Sequence, residues 1–328
     1  MDNNSPDVPQ LADPAGQRAA DFVAPESTPE LFSTARYPVH NIFVGPSGLR
    51  SGWRLLLFLL IAAAIGFALG VPTMRWRPHG AGKLWRDWML ELDLFLAIAA
   101  SAFLMSLIEK RSWGSYGLPV RAAFGKSFWV GAAWGLFWLT AMMLIMRAAG
   151  LFYFGGLSIH GLRMLKFAAF YGLLFLTVGF FEEFLMRGYA QFTLTQGIGF
   201  WPTAILLSAS FGALHLSNSG EAWPGILAAA LIGLFFCLTL RRTGTLWFAV
   251  GFHASWDWGE SFLYSVPDSG MMSPGHLLHS SFHGPNWLTG GSVGPEGSVF
   301  ALLIISLMWL ALDRVYPEIR CTAKAADV

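Results

Sequence analysis

The chain of 328 residues is short of charge and of cysteine, and both shortages exclude function classes. Only 12% of its residues are Asp, Glu, Lys or Arg, against about a quarter in a typical soluble domain. Its two cysteines, Cys237 and Cys321, offer neither a metal-ligand spacing nor a disulfide framework. There is no basic stripe, and a formal net charge of +1 provides no field for nucleic acid, so no nucleic-acid partner is expected. The start MDNNSPDVPQ lacks a basic n-region and an apolar core, so no cleaved signal peptide is expected. Cys321 stands too far from Val328 for a prenylation site. No repeat of fixed period and no inverted repeat of the transporter kind is visible.

What is present in excess is apolar surface. Hydrophobic residues make up 55% of the chain, with 28 Phe and 15 Trp, more than its few polar groups can shield from water. The expected fold class is therefore all-α, a polytopic helix bundle with the lipid bilayer as its solvent and partner. Residues 1–45, rich in Pro, Asp, Ser and Ala, read as a flexible cytoplasmic tail. Residues 46–316 read as the transmembrane domain and 317–328 as a cytoplasmic C-terminal tail. Eight apolar stretches are expected to span: 55–71, 88–108, 128–146, 167–193, 201–217, 224–240, 246–266 and 299–312. Tryptophans such as Trp53, Trp76, Trp88, Trp201, Trp223 and Trp247 fall near their ends, as an aromatic belt requires. One side collects twelve Lys and Arg near span ends and the other seven, while the loops after the fifth and seventh spans hold none. The positive-inside rule then gives a multi-pass cell-membrane protein with both termini in the cytoplasm.

Charge at bilayer depth is expensive, so each intramembrane ionisable residue marks a candidate site. The fourth span carries Glu182-Glu183-Phe184-Leu185-Met186-Arg187. Its apolar pattern continues to Gly197, which puts Glu182 about 18 Å from the cytoplasmic end at the helical rise. Glu183 and Arg187 are spaced i, i+4 and can pair, which alone would account for them as a structural brace. Glu182 points about 100° away and has no obvious partner. On the fifth span, His215 closes Phe211-Gly212-Ala213-Leu214-His215 at about 21 Å, a similar depth reached from the opposite chain direction. On the seventh, His253 and Asp257 share one face at i, i+4, compatible with a site or with a hydrogen bond closing the bundle. His276, His279 and His283 read as solvated loop residues, and Glu91 and Asp93 as acids snorkelling to the interface.

These residues resemble a known family. EEFLMR at 182–187, FGALH at 211–215 and HASWD at 253–257 match the EExxxR, FxxxH and HxxxN/D motifs of the CAAX prenyl protease type II and CPBP (CAAX protease and bacteriocin-processing) family. The ordered set covers about residues 165–260. The resemblance implies an intramembrane endopeptidase acting on a peptide or protein at the membrane. It implies that Glu182 and His215 position and activate the attacking water, that His253 and Asp257 stabilise the oxyanion, and that Glu183 with Arg187 brace the site. Position 257 is often Asn in the family. An ionised Asp257 would repel an oxyanion, so it must be protonated, orient His253 or serve otherwise.

The chemistry agrees: a desolvated glutamate and a histidine can act as base and proton shuttle, and no serine or cysteine sits in a nucleophile setting. No cofactor is expected. A zinc ion held by Glu182, His215, His253 and Asp257 is the competing way to activate water, but it would consume the best base. Two readings outside protease chemistry are a non-catalytic immunity or scaffold protein and a transporter relaying protons through Glu182 and His215.

Overall fold

A computed structural model describes residues 40–45, 48–218, 220, 222–272 and 274–321. Nine helices of ten or more residues lie among them. We number them α1 (Ser51–Arg75), α2 (Ala81–Ile108), α3 (Lys126–Ala148), α4 (Gly161–Arg187), α5 (Tyr189–Ile198), α6 (Phe200–Leu214), α7 (Trp223–Thr243), α8 (Trp247–Trp258) and α9 (Val299–Val315).

All eight expected spans are helical. Five stretches are long and apolar enough to cross a membrane: 51–75, 82–108, 126–148, 161–198 and 223–243. The other three are shorter: α6 has 15 residues, α9 has 17, and α8 has 12 followed by a six-residue π-helical turn, Gly259–Tyr264. The chain is an all-α, multi-pass membrane bundle. Leu60 and Phe67 on α1 and Trp129 and Phe137 on α3 are exposed, as lipid-facing side chains must be. The fourth span is not one unbroken helix, because Gly188 (φ −81°, ψ −122°) interrupts it directly after Arg187.

Most of the expected tail 1–45 lies outside the described residues. Its last residues form a helical turn, His40–Phe43, and a strand, β1 (Val44–Gly45), antiparallel to β2 (Gly48–Leu49). At the other end, the Arg320 and Cys321 amides donate to the Arg241 carbonyl at 2.9 and 3.0 Å, tying the chain back to α7. Residues 322–328 lie outside the described set.

Helix α8 is the centre of the arrangement, packed against α3 on one side and α4 on another. Against α3 the two backbones touch. A Cβ added at Gly131 would meet the Phe248 carbonyl at 2.1 Å, and one at Gly251 would meet the Phe128 carbonyl at 2.2 Å. In lipid, where apolar side chains gain little by leaving the solvent, such backbone approach is a main source of helix association. Around this seam lies a core of Leu139, Met142, Phe236, Phe252, Ile304 and Met308. A second core joins α1, α2 and α4 through Phe58, Ala102, Met105 and Phe184. It is pinned by Glu109, which accepts from Arg54 Nε (2.9 Å), Tyr189 (2.5 Å) and Tyr116 (3.1 Å).

The long segment 267–297 is fastened at several points. Its strand β4 (Ser281–Phe282) pairs with β3 (Phe152–Tyr153), in register Phe152↔Phe282. The amide of His279 donates to Gly156, that of Ser158 to Leu277, and that of Gly270 to Val293.

Candidate active site

Three of the four sequence-predicted site residues converge on one imidazole. His253, carried by α8, presents Nδ1 to Glu183 Oε1 at 2.9 Å. Its Nε2 faces Glu182 Oε2 at 3.5 Å and Asp257 Oδ2 at 3.4 Å. The i, i+4 spacing of His253 and Asp257 therefore puts both on one face, and the consecutive glutamates of α4 reach opposite sides of the ring. Phe236 stacks on that ring at 5.7 Å between centroids and an interplanar angle of 16°.

Behind the imidazole lies the expected brace. Arg187 Nη1 donates to Glu183 Oε1 at 3.2 Å, and both side chains are 0% exposed. The guanidinium also sits 4.7 Å over the ring of Phe211 and 5.7 Å over that of Phe236, where the ring faces attract a cation. Gly233 makes room for it, since a Cβ there would stand 2.5 Å from Arg187 Nη2. Glu183 thus does more than pair with Arg187: the same oxygen orients His253. Glu182, at 28% side-chain exposure, is the open acid of the two.

The fourth residue, His215, does not touch this network. It stands at the end of α6, where the helix tightens into a 3₁₀ turn, His215–Ser217, and its Nδ1 hydrogen-bonds the Phe211 carbonyl at 2.9 Å. It nevertheless lines the same cavity of about 180 Å³ as Glu182, His253 and Asp257. Ser210 Oγ donates to the Leu206 carbonyl, and buried Ser208 lies 3.9 Å from Cys237 Sγ, so neither hydroxyl is paired with His215.

Two features are not foreseen from the sequence. Glu91 does not snorkel away from the bundle: it lines the cavity that Glu182 lines. Asp93 accepts from Thr73 at 2.7 Å. The signal for Glu91 is its position, ten residues beyond the start of α2, well inside a helix that begins at Ala81. The second feature is a cluster of three carboxylates, Glu260, Asp268 and Glu296, whose oxygens lie within 4.8 Å of one another. Asp268 and Glu296 also line the cavity. Burial, with Asp257 and Glu296 nearby, pushes the Asp268 carboxyl well above the usual carboxylate range. Among the described residues this cluster has the spacing to hold a metal ion, while Glu182, His215, His253 and Asp257 form no such group, and neither do the loop histidines.

Residues 164–259 match the family model described as Type II CAAX prenyl endopeptidase Rce1-like. The matched stretch contains all three motifs, so the resemblance read from them is borne out there. No curated protein and no solved structure matches the chain.

Proposed function

We propose that this protein is an intramembrane endopeptidase that hydrolyses a peptide bond with a water activated by Glu182. The observation that carries the reading is the single cavity, bounded by bundle helices, into which Glu182, His215, His253 and Asp257 all face.

The chemistry follows from the positions. Glu182 takes a proton from water as the oxygen attacks the carbonyl carbon, and later returns it to the leaving amine as the C–N bond breaks. His215, lining the same cavity with Nδ1 occupied by Phe211, offers its other nitrogen to hold that water. His253 carries protons on both nitrogens: Nδ1–H donates to Glu183, and Nε2–H is offered to the developing oxyanion. Asp257, one turn along, keeps the ring in register and balances its charge rather than contacting the oxyanion. Glu183 and Arg187 fix the imidazole from behind. The substrate is a peptide or protein segment in or at the membrane, and both termini of the enzyme face the cytoplasm.

The test is cleavage of a peptide library by the purified, reconstituted protein. Glu182→Gln and His215→Ala are expected to abolish cleavage while the protein remains inserted. A wild-type protein that cuts nothing in the library points instead to a binding or scaffold role. A zinc-selective chelator should leave activity intact. Stoichiometric zinc whose removal and return switches cleavage off and on would overturn the metal-free mechanism. Reporter fusions check the orientation, which fails if Val328 reports from the outer side.

A further inference from the structure

The segment after α8 assembles a second polar centre that the hydrolytic reading does not use. Glu260 comes from the π-helical turn, Asp268 from the start of the long loop and Glu296 from its end. Asp268 Oδ2 accepts from Ser261 Oγ at 3.1 Å. Glu296 Oε1 accepts from both the amide and the hydroxyl of Ser269, at 2.6 and 2.8 Å. These donors hold two of the carboxylates in place and leave one oxygen on each available.

Glu260 is different. It is 0% exposed, and neither of its oxygens has a hydrogen-bond partner. The indole of Trp256, one helical turn earlier, comes near this carboxyl without making a well-formed hydrogen bond to either oxygen. Among the described residues no Lys or Arg pairs with any of the three acids. A buried carboxylate normally has a donor or a counter-charge. Here the protein supplies no counter-charge and no well-formed hydrogen bond, yet aims the group at two further carboxylates.

We propose that Glu260, Asp268 and Glu296 bind one hard divalent cation of the calcium type, which fastens the 267–297 loop to the end of α8. The ligand set is all oxygen and all carboxylate, the preference of calcium rather than of zinc or copper. Two ligands on opposite sides of a cation with bonds of about 2.3–2.6 Å are about 5 Å apart. The oxygens here fall inside that span. Water completes the coordination. Because Asp268 and Glu296 also line the cavity, the cation sets the position of one of its walls.

Terbium, a luminescent stand-in for calcium, tests the site on the intact purified protein, with Trp256 one turn from Glu260 as sensitiser. Wild type should give saturable terbium luminescence that calcium displaces and sodium does not, and calcium should raise the melting temperature. Glu260→Gln and Glu296→Gln should each weaken both responses by roughly tenfold or more, the scale on which metal sites answer to lost partners. The inactive Glu182→Gln protein should bind terbium as wild type does, so the outcome is independent of proteolysis. Absence of saturable luminescence, or a Glu260→Gln protein that binds like wild type, overturns the proposal. So does a stabilisation produced by zinc and not by calcium.

Discussion

The two polar centres of this bundle are attached to the same helix and solve the cost of buried charge in opposite ways. Around His253, the acids Glu182, Glu183 and Asp257 face an imidazole and, behind it, a guanidinium. Around Glu260, three acids face one another. At 4.8 Å, each pair of ionised carboxylates repels by about 3 kcal/mol at an effective dielectric constant near 20. The first centre carries its own counter-charges and holds its shape from within. The second depends on something from outside, a proton or a cation. A site that must stay ready for chemistry is built in the first way, and a fastening that can respond to its surroundings in the second.

Substitutions that blur or sharpen this contrast can be ranked. The largest effect belongs to Glu182→Gln, which removes the proposed base while leaving the Glu183–Arg187 pair in place. Its cleavage rate should fall by about 10²–10⁴-fold, measured by peptide turnover, with an unchanged melting temperature. Next comes Arg187→Met, which strips the first centre of its guanidinium and leaves His253 as the remaining partner of Glu183. Removing one partner of this buried pair should cost up to about 3–5 kcal/mol, read from unfolding in detergent. Gly251→Val inserts a side chain where α8 meets the backbone of α3, at a cost of about 1–3 kcal/mol. Because α8 leads directly into the Glu260 turn, both cleavage and terbium binding should weaken together in that variant, and a change confined to one centre would show that they are mechanically separate. The smallest is Ser261→Ala, which removes one donor from Asp268 and should cost about 1 kcal/mol, seen as a small drop in melting temperature with peptide turnover retained.

The sequence makes the first centre far more legible than the second, for a physical reason. Its pairs are local: Glu183 with Arg187 and His253 with Asp257 are i, i+4 neighbours, and helical periodicity alone fixes their faces. Helix type and order are legible on the same ground, from apolar runs broken by Gly and Pro. What periodicity cannot convey is how one helix meets another. That Glu183, on α4, turns its oxygen to His253 as well as to Arg187 depends on the packing of α4 against α8. His215 is expected at the depth of Glu182, and depth places it on the correct cavity but does not say that its Nδ1 is taken by Phe211. The break at Gly188 is hidden because apolar residues continue on both sides of it. Glu260, Asp268 and Glu296 are invisible as a group, since the two ends of a long loop meet through Gly270–Val293 and Ser269–Glu296 hydrogen bonds and no local spacing encodes that closure.

The shortness of α6 has a consequence for the surrounding lipid. Fifteen residues extend about 22 Å at the helical rise, against a hydrocarbon thickness of about 30 Å. Ile205, Leu206 and Leu214 are exposed along it, so acyl chains must meet a helix that ends early, at His215. The bilayer adapts to such a mismatch by thinning locally, which draws the water boundary inward toward that histidine. Under the proposed function, the protein then works as a gauge of membrane thickness. In vesicles of graded chain length, thin bilayers should favour turnover, because they deliver water to the cavity lined by Glu182 and His215 with less deformation of the lipid.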